Sequence, residues 1–129
     1  ALGSKADVIG VVAENAPTYA LSCEAGKPVP SNSADTFADG LAVRIPDPRA
    51  LDEILAGAAR VVTVSEDEMK AAVRHYYTDT HNLVEGAGAA SLAALLQEKD
   101  AITGKKVGLI LSGGNIDREL YLDILSEAS

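Results

Sequence analysis

With 129 residues, 47% of them apolar, and eleven glycines, the chain has material for one hydrophobic core and not for two. Eleven basic against nineteen acidic residues leave a net charge of -8, and no basic cluster is longer than Lys105-Lys106, which argues against nucleic acid as a partner. No run approaches the roughly 18 apolar residues of a membrane helix, ALGSKADV lacks a signal-peptide pattern, and the single cysteine cannot form an internal disulfide, so the expectation is a soluble cytoplasmic protein with no membrane partner.

Val8 to Ala13 is near-continuously hydrophobic and is expected to be a strand, followed by a helix over Thr18 to Ala25. From Gly26 to Pro48 the chain is rich in Pro, Ser, Asn, Asp and Gly, about twenty residues without a period, a length that in a compact domain marks a functional or docked loop. After Pro46 and Pro48 a helix is expected over Ala50 to Ala58, then a second strand over Val61 to Val64. Ser65 and Glu68 form an S-x-x-E capping box opening a helix to Tyr77, with Met69, Ala72, Val73, Tyr76 and Tyr77 at helical spacing. Ala87 to Leu96 is almost all Ala and Leu, with Ser91 as its polar interruption, and should lie deep in the fold. A third strand is expected over Val107 to Leu111 and a last helix over Asp117 to Glu127, with Leu120, Ile124 and Leu125 inward. Continuous apolar strands alternating with helices predict one α/β domain over residues 1–129, an open parallel sheet with helices on both faces.

Three segments carry candidate chemistry. Leu111-Ser112-Gly113-Gly114-Asn115-Ile116-Asp117 reads as a strand ending in a hydroxyl, two glycines and an amide before a helix, where ligands of open α/β sheets bind; an ordinary glycine turn capped by Asp117 explains the same pattern. In His81-Asn82-Leu83-Val84-Glu85-Gly86-Ala87-Gly88, a desolvated Glu85 would have a raised pKa suited to proton traffic or to a bound ring, whereas an acid favoured by the helix dipole is the plainer account. His81 and Glu85 at i, i+4 lack further ligands, so no metal site is assigned. Around Asp39-Gly40 in Ser33-Ala34-Asp35-Thr36-Phe37-Ala38-Asp39-Gly40-Leu41-Ala42-Val43 the backbone either approaches a ligand closely or makes an Asx turn. Cys23, without a neighbouring cation or histidine, reads as a small core residue.

The segments ENAPTYALS, SADTFADGLAV, VSEDEM, HNLVEGAGAA and ILSGGNID, in this order and spacing, resemble the C-terminal part of threonine dehydratases and of their serine dehydratase and serine racemase relatives. The resemblance covers essentially the whole chain and implies part of the large domain of a fold-type II enzyme that uses pyridoxal 5'-phosphate. It implies that Ser112 hydrogen-bonds the pyridine nitrogen, that the Gly40 backbone lies near the ring, and that Glu85 lies beside ring and substrate. A serine, unlike an aspartate, does not hold the pyridine protonated and so tempers the ring as an electron sink, which suits α-proton loss with β-hydroxyl elimination. The family's Schiff-base lysine and tetraglycine phosphate loop match nothing here: none of Lys5, Lys27, Lys70, Lys99, Lys105 or Lys106 stands in such a context, so no catalytic residue is assigned to this chain. The positions matching the cation ligands of serine-racemase-like members are Val12 and Thr18, against a metal. The chain stops soon after Asp117, which points to the catabolic, single-domain kind. The expectation is the C-terminal portion of a threonine or serine dehydratase, inactive by itself, with an amino-acid substrate and a missing N-terminal part, and homo-oligomeric. The alternative is a stand-alone, non-catalytic α/β module acting as an interaction protein.

Overall fold

The computed structural model describes residues 5–127. Strand β1 (Ile9–Ala13) leads into helix α1 (Thr18–Ala25), and a long irregular segment carries a short 3-10 turn over Asp39–Leu41. Helix α2 (Pro48–Gly57), strand β2 (Arg60–Val64) and helices α3 (Glu66–Thr80), α4 (Gly86–Gln97) and α5 (Arg118–Ser126) follow. The two strands pair in parallel, Ile9 with Arg60 through Ala13 with Val64, and the Glu14 amide extends the ladder to the Val64 carbonyl at 2.8 Å. A parallel pair needs a long crossover, which α1, the irregular segment and α2 supply. Helices flank the pair, as the continuous apolar runs required.

Local chemistry explains the helix ends. In α2 the helix starts two residues before its expected first residue, because Asp47 caps it by accepting from Arg49 and Ala50 while Pro48 occupies the first turn, where a proline costs no hydrogen bond. The α3 capping box forms as read, with Ser65 Oγ accepting from the Glu68 amide and Glu68 Oε2 accepting from the Ser65 amide. His81 closes α3 in the left-handed conformation. Along α4 the side chains of Ala89, Ala90, Ala93 and Ala94 are buried, and they join Val64, Met69, Ala72, Val73, Val84 and Ile124 in one core.

Three expectations need correction. Val107 to Leu111 is not a strand: it has no ladder partner among the described residues and is held against α4 by Ser91 Oγ donating to the Ile110 carbonyl at 3.1 Å. Apolar content alone does not make a strand, and here Ile110 is 79% and Val107 49% exposed. Tyr77 does not face inward; it is half exposed and meets Tyr121 edge to face. Cys23 is half-buried on a groove with Leu21, Ile54 and Leu55, outside the core.

Candidate functional site around the first turn of α4

Glu85 is the residue preceding α4, in extended conformation, yet its side chain caps nothing in its own helix. Instead its Oε2 accepts from the Asn115 backbone amide at 2.9 Å, and its own amide donates to the Gly113 carbonyl at 3.1 Å. The carboxylate lies against Gly113 so closely that a Cβ there would stand 2.6 Å from Oε1. On the next half-turn Gly88 faces the same loop: a Cβ on it would stand 2.6 Å from the Gly113 carbonyl oxygen. The two glycine-bearing motifs, some thirty residues apart, are therefore one interlocked unit, and their lack of side chains is what allows the contact.

Ser112 enters that loop. It is exposed, and its hydroxyl has no hydrogen-bond partner among the described residues. Gly40 stands on the other flank of the same helical turn, where a Cβ would be 2.9 Å from that of Ala87. Ala87 and Gly88, adjacent in α4, thus touch the segment bearing Gly40 and the loop bearing Ser112 respectively. Phe37, three residues before Gly40, donates its amide to Glu66 Oε2 at 3.0 Å, which fixes this segment at the first residue of α3, just beyond the carboxyl end of β2. Ligands of open α/β folds bind at such carboxyl ends.

This donor set fits the pyridine ring of pyridoxal phosphate. A free neutral hydroxyl suits a ring nitrogen, and a half-buried carboxylate is anchored through one oxygen to the loop that carries that hydroxyl. The residues matched to cation ligands are differently engaged: Val12 is buried, and Thr18 Oγ1 donates towards Ser31 Oγ and the Arg44 carbonyl. His81 does not join Glu85; its Nδ1 contacts the Tyr77 carbonyl at 3.1 Å. Among the described residues no group of three or more His, Cys, Asp or Glu side chains could hold a metal ion. Sequence reading did not find the Asn115 amide or Glu66. Both stand in segments singled out by motif, but no spacing rule pairs Glu85 with Asn115 or Glu66 with Phe37 across about thirty residues.

The family model for pyridoxal-phosphate dependent enzymes matches residues 1–113. A putative threonine dehydratase of Sinorhizobium fredii is 38% identical over 128 residues, covering 98% of this chain and 39% of that protein. An L-threonine ammonia-lyase of Thermotoga maritima is 34% identical over 120 residues, covering 93% of this chain and 30% of that protein. Among solved structures, the processed form of threonine deaminase isoform 2 from Solanum lycopersicum superposes with a TM-score of 0.87 at 28% identity, over 97% of this chain and 37% of that one. The chain thus spans two fifths or less of the length of these relatives. With the family model matched over most of its length, the chain belongs to the pyridoxal-phosphate dependent enzymes.

Proposed function

We propose that this chain is the C-terminal portion of the cofactor domain of a threonine or serine dehydratase, an enzyme that converts the hydroxyamino acid to a 2-oxo acid and ammonia. The observation that carries the reading is the Glu85 carboxylate lodged against Gly113 and pinned by the Asn115 amide, in the loop that carries the exposed Ser112. When bound, pyridoxal phosphate supplies the electron sink for α-proton loss and departure of the β-hydroxyl. Ser112 would donate a hydrogen bond to the ring nitrogen without protonating it, the Gly40 backbone would border the ring, and Glu85 would stand beside the ring and the substrate. The Schiff-base lysine and the phosphate cradle come from the rest of the enzyme, so the isolated chain forms no 2-oxobutyrate from threonine. The net charge of -8 and single cysteine support a cytoplasmic setting, and the exposed Ile110 and Val107 support coverage by the remainder of the enzyme or by another copy in a homo-oligomer.

The test is Ser112→Ala in the complete enzyme. Loss of a neutral hydrogen bond costs about 1 kcal/mol, and because that bond matters most while charge flows into the ring, turnover should fall more than cofactor affinity. Unchanged turnover with weaker cofactor binding would make Ser112 an anchor and return this loop to an ordinary turn.

A further inference from the structure

The three acids that open α3 do different work. Asp67 is exposed, and Glu68 is spent on the capping box. Glu66 turns inward: Oε2 accepts from the Phe37 amide at 3.0 Å, and Oε1 is buried with no hydrogen-bond partner. An acid present only to favour the helix dipole would face water, where its oxygens are satisfied at no cost. The contact it makes is singular, because among the described residues it is the only hydrogen bond joining residues 33–43 to another element. Every other bond of that stretch stays within residues 31–44, including the Asp35 amide to Ser33 Oγ, the Ala38 amide to Thr36 Oγ1 and the Leu41 amide to the Ala38 carbonyl. The stretch also meets α4, where Gly86 makes room for it: a Cβ there would stand 2.6 Å from Phe37 Cε2 and 2.9 Å from Ala38 Cβ. Phe37 is thus held by a carboxylate at its amide and by a bare backbone at its ring, three residues before Gly40.

We propose that Glu66 is a positioning residue for the cofactor-bordering segment, fixing the Phe37 amide and through it the Gly40 backbone. The inference rests on the dehydratase reading for the segment's role, while the tether itself rests on geometry alone. What matters is the reach of an acceptor oxygen, not its charge.

Glu66→Gln, Glu66→Asp and Glu66→Ala in the complete holoenzyme separate these. Gln keeps an acceptor at the same distance, Asp keeps the charge but withdraws it by one methylene, and Ala removes both. Hydrogen exchange followed by mass spectrometry on peptides covering residues 33–43 should rise about fivefold to tenfold in Ala and Asp, the scale of losing one hydrogen bond, and stay within about threefold of wild type in Gln. Peptides from the middle of α3 should not change. The absorbance and fluorescence of the bound cofactor and kcat for threonine should follow the same order, with kcat down about tenfold in Asp and KM moving less. If Ala fails to fold, the Asp and Gln pair carries the comparison. Unchanged exchange in Asp overturns the proposal, as does raised exchange with wild-type cofactor spectrum and kcat. A wild-type enzyme that neither binds pyridoxal phosphate nor forms a 2-oxo acid would overturn the dehydratase reading, leaving the exchange comparison to decide the tether.

Discussion

Gly113 and Gly88 are both forbidden a side chain, but by neighbours of different stiffness. Alanine at 113 would meet the Glu85 carboxylate, the far end of a flexible side chain, whereas alanine at 88 would meet the Gly113 carbonyl oxygen and, at 2.9 Å, Val84 Cγ2. A carboxylate can swing aside and backbone cannot. Gly113→Ala should therefore cost stability little while releasing Glu85 from the Asn115 amide, so its main effect falls on turnover of the complete enzyme. Gly88→Ala should destabilise by about 1 to 3 kcal/mol, the range for inserting a methyl where nothing yields. Urea unfolding of the two variants decides it: equal losses would mean that the loop moves as freely as the side chain. Val84, fully buried beside Gly88, leaves little slack for such movement.

At the scale of elements, α3 is the member whose start was legible in the sequence, and whose packing was legible except at Tyr77. Its capping box predicts that Ser65→Ala removes about 1 kcal/mol, since the Glu68 amide loses its acceptor and the Glu68 carboxylate loses the Ser65 hydroxyl. Met69, with no exposed surface, should cost about 2 to 5 kcal/mol when truncated to alanine, as cavity-forming substitutions do, and thermal denaturation of both variants checks the order. Caps and 3.6-residue periodicity are local signals, which is why α3 and α5 were readable to within a few residues. The strand expected over Val107 to Leu111 was not, because a ladder is a property of two segments and periodicity describes one. The same limit applies at the site. The glycines, Ser112 and Glu85 were marked as chemistry-bearing by type, but that Glu85 reaches across to the Asn115 amide instead of capping α4 follows from how α4 packs on the loop. No residue spacing encodes that.

Over the whole molecule, exposed ion pairs join elements distant in sequence, and they give folding a dependence on pH with a definite sign. Glu127, at the end of α5, bonds Lys70 at 2.8 Å and Arg74 at 3.0 Å on α3, while Glu98, following α4, holds Arg60 of β2 through both oxygens. The hydrogen bond from Lys70, then its charge and Arg74, hold Glu127 below its ordinary 4.5; the bond from Arg60, and then its charge, do the same for Glu98. A carboxylate whose folded pKa is depressed adds stability that is fully present above its unfolded pKa and is lost as pH falls through the folded value. Both carboxylates therefore support folding from neutral pH down to about 4.5, and their contribution weakens progressively below it. Their cationic partners run the other way: Lys70 is raised above 10.5 by its bond to Glu127, so its share persists through neutral pH and is lost only as pH climbs past that value. All five groups reach solvent, so added salt should flatten the effect. Denaturant unfolding of Glu98→Gln and Glu127→Gln across an acid series is the check, because every other carboxylate of this acidic chain is common to variant and wild type. Each variant should lose part of the wild-type decline below pH 4.5, and the double variant more than either. Acid slopes identical to wild type at low salt would mean that these pairs join the elements in geometry without contributing to their stability.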